Sequence, residues 1–269
     1  MIKNSLKFIS FFLLLYLAGC ENEHVVEVDS IFTEYTVVQS EIRAGDIFPG
    51  VRFTKTLPLG IPYDITEAEL KNITAYIKLN NDITKDRIIP IYYTQDGLYK
   101  ALEDTPRVRQ GSTYELFAKR NETFIYSKTY IPRTPNVTGT DFNSNNHSLE
   151  ANVLSAEHEV YAAIWRISST ASSENFFSVS ETTYPNSIVT VRTSSIPEEY
   201  MSSVYNGSRY IQVYSFNKAF KPYFNSRTSG QSIDNPLVQS GGSIQWNVTG
   251  DHVIGMFIGV CAGSQIPVQ

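Results

Sequence analysis

Between residues 73 and 79 the chain runs Ile73-Thr74-Ala75-Tyr76-Ile77-Lys78-Leu79. Its first, third, fifth and seventh residues are apolar, and the residues between them are threonine, tyrosine and lysine. A strand points successive side chains to opposite faces, so this period of two predicts a β-strand with one buried face. The pattern therefore indicates a β protein.

The sequence around this stretch carries the same signal. An Asp96-Gly97 pair separates the apolar runs 88–94 and 97–102, and such a pair supplies the positive φ angles of a tight hairpin turn. Further strands are predicted over 114–118 and 124–131. Pro132 and Pro135 end this series because proline cannot donate a ladder hydrogen bond. We therefore predict a first β domain over residues 31–133 and a second over 134–269.

The second half also has the pattern of a β-rich domain, with one or two short helices in the whole chain. Strands are predicted over 136–142, 160–168, 176–180, 188–193, 209–216, 244–248 and 253–260. Helices are predicted over 66–72, opened by Thr66 with Glu69, and over 195–205, opened by Ser195 with Glu198. Residues 218–242 are rich in Pro, Gly, Ser and Asn, which predicts a long surface loop of the kind that often binds ligands.

The first thirty residues predict export and lipidation. Lys3 and Lys7 precede an apolar run over 8–17, and the segment closes with Leu17-Ala18-Gly19-Cys20. This is a signal peptide over 1–19 with a lipobox, which predicts a lipid on Cys20. About ten apolar residues are too few to cross a bilayer, which needs about twenty. The alternative is an ordinary secretory signal. Residues 20–30 are acidic and predict a tether to a membrane-anchored lipid.

Charge and cysteine content exclude some classes of partner. Removal of Lys3 and Lys7 with the signal peptide leaves 20 basic and 27 acidic residues, a net charge of −7. Nucleic acid is therefore not an expected partner. Lipidation of Cys20 would leave Cys261 as the only thiol, so no intrachain disulfide is expected. Cys261 follows an apolar run and is interpreted as a small buried hydrophobe.

The sequence carries no motif for a catalytic, cofactor or metal site. The histidines do not have metal-ligand spacing, and no nucleophile elbow or phosphate-binding glycine loop is present. Paired carboxylates that meet only in the fold would escape detection, so a hydrolase remains an alternative. The aromatic residues favour a sandwich core. The competing hypothesis is a ligand platform at Trp165, Trp246, Tyr223 and Phe224.

Five segments of the chain together resemble one family. They are the strand over 73–79, Gly97-Leu98-Tyr99, Gly111-Ser112-Thr113-Tyr114-Glu115-Leu116, Thr129-Tyr130-Ile131-Pro132 and the closing Gly250-Asp251-His252-Val253-Ile254-Gly255-Met256-Phe257. In order and character these segments resemble the Bacteroidota lipoprotein family classed as domain of unknown function 4249. The resemblance covers most of the chain after the predicted cleavage site.

The resemblance implies a domain architecture and a cellular location. It implies an immunoglobulin-like β-sandwich over 31–133 and an outer-membrane lipoprotein, with the cell surface favoured over the periplasmic face. The expected role is a non-catalytic binding or accessory module for a glycan, a peptide or a partner protein, working beside a TonB-dependent transporter. A structural or adhesive role is a further alternative. Asp29-Ser30-Ile31 fits the short O-glycosylation pattern of the same bacteria, which predicts a modification of Ser30.

Overall fold

The computed structural model describes residues 32–58, 60–81, 84–102, 107–167, 171–173, 175–200, 208–229 and 244–268. Among these residues it has fifteen strands and two α-helices. The strands are β1 Thr36–Arg43, β2 Val51–Lys55, β3 Ile73–Asn81, β4 Thr84–Gln95, β5 Leu98–Lys100, β6 Thr113–Arg120, β7 Thr123–Tyr130, β8 Asn136–Asn143, β9 Ser148–Leu154, β10 Glu159–Ile167, β11 Ala171–Ser172, β12 Ile188–Arg192, β13 Arg209–Asn217, β14 Val248–Thr249 and β15 Val253–Val268. The helices are α1 Ile65–Ala68 and α2 Phe220–Ser229. The all-β prediction with few short helices is confirmed.

Twelve strands form one sheet and three form another. The large sheet has the order β11-β10-β13-β15-β1-β2-β5-β4-β3-β6-β7-β14, and the small sheet has the order β12-β9-β8. Most neighbours are antiparallel, whereas β1 and β15 pair in parallel and bring the two ends of the folded body together. Strand β15 is therefore shared: its first half pairs with β1 and its second half with β13.

Strand β4 continues from one part of the large sheet into another. Its Ile91 lies opposite Ala75 of β3, and its Tyr93 lies opposite Tyr99 of β5. The first hydrophobic cluster accordingly combines side chains of β1, β2 and β5 with side chains of β3, β6 and β7. This arrangement gives the sandwich-like character of residues 36–131.

Tyr99 joins the strands of this first cluster to the connection after α1. Its side chain is 1 % exposed, and its hydroxyl donates to the carbonyl of Leu70 at 2.9 Å while accepting from the N–H of Ile73 at 3.0 Å. Its ring contacts Phe53 edge to face at a centroid distance of 5.2 Å. Burial raises the pKa of this phenol, which keeps it neutral.

Two further clusters lie in the second half of the described chain. One packs strands β9, β10, β12 and β13 around Trp165, and the other packs Phe216 with the face of α2. Strand β15 contributes to all three clusters, through Val253 and Phe257, Val268, and Val260 respectively. The boundary at residues 133 and 134 stays a prediction.

Helix α1 differs from its prediction. It begins after Asp64, whose carboxylate accepts from the N–H of Thr66 at 2.8 Å, so Asp64 is the N-cap. It ends at Ala68, and the predicted box partner Glu69 turns into the sheet. There Glu69 accepts from the hydroxyl of Tyr93 at 2.6 Å. The prediction of a helix over 66–72 was therefore wrong in both its cap and its length.

Other predicted elements also change. The segment over 195–205 forms a 3-10 turn over Glu198–Tyr200, and residues 201–207 lie outside the described residues. Residues 176–180 contribute only an isolated bridge between Ser180 and Tyr161. The strand predicted over 244–248 is wrong, because pairing begins at Val248 in β14. The predicted loop over 218–242 contains helix α2, and its residues 230–243 lie outside the described residues.

A candidate ligand-binding cleft

A cleft of about 1310 Å³ lies between helix α2 and the open end of the β6–β7 hairpin, where β6 begins and β7 ends. Strand residues and the turn before β10 form one wall, and the start of α2 forms the other. The lining residues are Thr113, Lys128, Tyr130, His158, Glu181, Asn217, Lys218, Ala219, Lys221, Pro222, Asn225, Ser226 and Gln245. They come from six separate parts of the chain, so the cleft exists only in the folded protein.

Helix α2 is held by the residues just before it and by an aromatic contact. The side-chain oxygen of Asn217 accepts from the N–H of Ala219 at 3.0 Å, and the N–H of Lys218 donates to the carbonyl of His158 at 3.0 Å. Phe220 stacks on Phe216 with centroids 4.1 Å apart and ring planes 15° apart. A ten-residue helix is marginal in isolation, so these contacts fix the wall of the cleft.

The opposite wall is set by paired strands and a turn. Thr113 of β6 and Tyr130 of β7 are cross-strand partners. The ring of His158 meets the ring of Tyr130 edge to face at a centroid distance of 6.3 Å. His158 itself has φ of +66°, so it occupies the left-handed turn position that precedes β10.

The other described histidines occupy the same kind of turn. His147 and His252 have φ angles of +52° and +51°. Within the described ranges, no three His, Cys, Asp or Glu side chains are placed to hold a metal ion.

Lysines dominate the charge of the cleft. Lys221 pairs with Glu181 at 2.9 Å. Lys128 lies 3.3 Å from Glu115, and Lys78, which lies 3.9 Å from the other oxygen of that carboxylate, has its closer partner in Asp86 at 2.8 Å. Lys218 is exposed and has no carboxylate within 4.0 Å among the residues that the structure describes. The lining thus carries three lysines against one glutamate.

A buried carboxylate stands beside the cleft at the connection between β7 and β8. Glu159 is 7 % exposed and accepts from the N–H of Arg133 at 2.8 Å and from the hydroxyl of Tyr161 at 3.0 Å. Burial raises the pKa of Glu159, and burial also raises the pKa of Tyr161. The hydroxyl of Ser215 donates to the carbonyl of Arg133. These contacts fix the chain as it leaves β7.

Cys261 packs against the same connection. It is 4 % exposed, and its sulfur lies 3.6 Å from both the amide of Gln110 and the hydroxyl of Thr134. Burial raises the pKa of the thiol. The interpretation of Cys261 as a small buried residue is confirmed.

The predicted aromatic platform is only partly assembled. Trp165 is 5 % exposed within the second cluster, and its indole N–H donates to the hydroxyl of Ser194 at 3.1 Å, so it is a core residue. Tyr223 and Trp246 do meet, with centroids 5.5 Å apart, and Phe224 lies beside Phe220 on α2. These three half-buried rings flank the cleft without lining it. Cys20 and Ser30 lie outside the described residues.

A second exposed aromatic group was missed at the sequence level. Pro90, Tyr76, Phe117 and Tyr126 are successive cross-strand neighbours on β4, β3, β6 and β7. Tyr76 and Phe117 stack at 5.1 Å with planes 13° apart, and the exposed fractions of Tyr76 and Tyr126 are 37 % and 38 %. Lys128 and Tyr130 continue the same face of β7 toward the cleft. The period-two pattern could have identified this surface, which we call the aromatic row.

No helix within the described ranges is long and apolar enough to span a membrane. No protein-family model matches the sequence, and no curated protein matches it significantly. Function is therefore inferred from the cleft and its chemistry.

Proposed function

We propose that this chain is a lipid-anchored outer-membrane protein, displayed at the cell surface, that captures a soluble ligand and holds it near an outer-membrane transporter of the TonB-dependent type. The signal peptide predicted over 1–19, the lipobox cysteine Cys20 and the acidic tether predicted over 20–30 support this cellular location. The family resemblance to domain of unknown function 4249, with its immunoglobulin-like first domain, supports the same role.

The observation that carries the binding role is the cleft itself. Its volume of about 1310 Å³ exceeds the range of about 300–1,000 Å³ that is usual for small-ligand sites. Its walls are a paired hairpin and a helix fixed by aromatic contacts, so the site is largely formed before a ligand arrives. Such preorganisation reduces the ordering that binding requires.

The charged groups favour binding over hydrolysis. Retaining and inverting glycosidases place two carboxyl groups about 5 to 9.5 Å apart across the scissile bond. Glu181 is the one carboxylate among the described lining residues, and it is paired with Lys221 at 2.9 Å. The hydroxyl of Ser226 donates to the carbonyl of Tyr223 at 2.9 Å. This arrangement suits a site that holds its ligand unchanged.

Binding at the cleft is tested with an obstructing substitution. A tryptophan at Asn225 on the helix wall would fill part of the cleft, whereas Asn145→Trp places the same ring on an exposed turn elsewhere. On an array of neutral and acidic oligosaccharides, we expect the full-length chain and Asn145→Trp to bind the same glycans, and Asn225→Trp to lose them. Equal binding by all three proteins, or no binding to any glycan, would count against the cleft.

The proposed location at the cell surface is tested in cells. We expect Cys20→Ala to abolish membrane retention, and external protease to cut the wild-type chain on intact cells. A transporter component should co-purify from detergent-solubilised outer membrane. A chain that stays membrane-bound without Cys20, or that external protease leaves intact, would refute surface display through the lipid.

A further inference from the structure

We propose that the cleft takes an acidic oligosaccharide, a short chain of sugars that carries carboxylate groups. This inference rests on the proposed binding function and names the class of ligand. It follows from the charges of the lining, from its uncharged polar side chains, and from the pairing of the strands in its wall.

The charge of the lining is opposite to that of the whole chain. The full sequence has 22 basic and 27 acidic residues, whereas the cleft lining has three lysines and one glutamate. Glu181 compensates Lys221, and Glu115, which lies outside the lining, compensates Lys128, because Lys78 has its closer partner in Asp86. Lys218 has no carboxylate within 4.0 Å in the described part of the chain. A ligand carboxylate would therefore find one ammonium group in the lining, that of Lys218, without a protein counter-charge.

The uncharged polar lining suits a ligand rich in hydroxyl groups. The side-chain amide of Gln245 both donates and accepts hydrogen bonds, and the amide N–H groups of Asn217, whose oxygen accepts from Ala219, can donate to the hydroxyls of a sugar. The ring of Tyr130 adds an apolar surface beside them. Because the volume exceeds that of ordinary small-ligand sites, the cleft has room for several sugar units.

The strands in the wall disfavour an acidic peptide as the ligand. Extended peptides commonly bind by adding a strand to an open sheet edge. Strand β6 is paired along its length with β3 on one side and β7 on the other. At β6 the cleft therefore offers side chains rather than a free backbone edge, which favours a saccharide there. The pairing of β7 with β14 covers only Tyr126 and Ser127, so titration with pentaglutamate is needed for the edge beside Lys128 and Tyr130.

The test is calorimetric titration of the full-length chain in detergent with tetragalacturonate. Its fully methyl-esterified form has the same sugars without charge and is the matched control ligand. We expect the esterified form to bind at least about tenfold more weakly. Salt at about 1 M, where the Debye length is about 3 Å, should weaken binding of the acid.

A substitution tests whether the charge of Lys218 contributes to binding of the acidic sugar. Lys218→Gln removes the unpaired lining charge, and Lys100→Gln makes the same change at an exposed position outside the cleft. We expect Lys218→Gln to weaken tetragalacturonate binding by about fivefold, the upper end for one exposed ion pair, and Lys100→Gln to leave it unchanged. Both side chains are exposed, so neither variant should impair folding.

The outcomes separate the ligand class from the binding function. Equal binding of acid and ester, blocked by Asn225→Trp, would overturn the acidic class and leave the cleft as a binding site. Equal binding of pentaglutamate and tetragalacturonate would overturn the saccharide. Binding of neither sugar, while other glycans bind at the cleft, would overturn this proposal alone. Failure of the wild-type chain to bind any glycan would overturn both proposals.

Discussion

Replacing Phe220 by alanine should detach helix α2 and dismantle one wall of the cleft. Phe220 stacks on Phe216 at 4.1 Å and lies within 6.3 Å of Phe176 and 6.0 Å of Phe224. The rest of the helix has little intrinsic tendency to form, because Asn, Ser and Thr are common in it. Its docking therefore depends on this ring.

The free energy of docking that helix α2 loses in Phe220→Ala follows from these contacts. Burying a phenylalanine fully contributes up to about 3 kcal/mol, and the half-buried Phe220 should contribute about 1.5 kcal/mol. The stacked pair with Phe216 adds about 0.5–1.5 kcal/mol. A total of about 2–3 kcal/mol raises the opening constant of the helix roughly 30- to 140-fold, since every 1.4 kcal/mol is a factor of ten.

Hydrogen exchange measures this opening. We expect the amides of α2 to exchange faster by about that factor in Phe220→Ala, while the amides of β6 and β7 keep their protection. Phe177→Ala is the matched control, because Phe177 is 58 % exposed. Unchanged exchange in α2, or an equal loss of protection in the hairpin, would refute the claim that this ring holds the helix.

Three other substitutions probe the fold. Tyr99→Phe leaves two buried backbone groups without their partner and should cost about 2–3 kcal/mol in urea unfolding, whereas Tyr92→Phe, which is 49 % exposed, should cost under about 0.5 kcal/mol. Gly255→Ala should cost about 4 kcal/mol or more by thermal unfolding, because φ is +138° and a Cβ would lie 2.0 Å from the carbonyl oxygen of Val38. For Glu159→Gln, pH-dependent urea unfolding should show wild type losing stability relative to the variant as pH rises from about 4 through the folded-state pKa. Burial raises this folded-state pKa above its ordinary value. At pH values above the folded-state pKa, burial of the ionised carboxylate therefore destabilises wild type, whereas the glutamine variant has no such charge.

Each of these predictions has an outcome that would contradict it. Equal unfolding free energies for the two tyrosine variants would show that the buried hydroxyl of Tyr99 contributes nothing. A stable Gly255→Ala protein would mean that β1 and β15 do not approach as closely as described. A pH-independent difference between wild type and Glu159→Gln would show that folding does not raise the pKa of this carboxyl.

Strands were predictable where local alternation matches a buried face. The stretch over 73–79 forms β3, and the hairpin signal at Asp96-Gly97 is confirmed, with both residues at positive φ. The pattern carries this information because successive strand side chains face opposite sides. The close pairing of Val38 with Gly255, by contrast, joins residues more than two hundred positions apart and leaves no local signal.

The cleft could not be predicted from the sequence for the same reason. Helix α2 lies in a segment that has loop composition, and it becomes helical because Phe220 docks on Phe216 of the preceding strand. The cleft is lined by Tyr130 and His158 together with Lys218, and only the fold shows that these residues lie around one site. The sequence did identify Tyr223 and Trp246 beside this site, but Trp165 shares only their aromatic character and lies in a separate core.

A crystal structure of the chain soaked with tetragalacturonate tests the central claim most directly. We expect density in the cleft, with a carboxylate within hydrogen-bond distance of the ammonium group of Lys218 and sugar hydroxyls near Asn225 and Gln245. Density confined to another surface, such as the aromatic row, or no density at a concentration that saturates binding in solution, would contradict it.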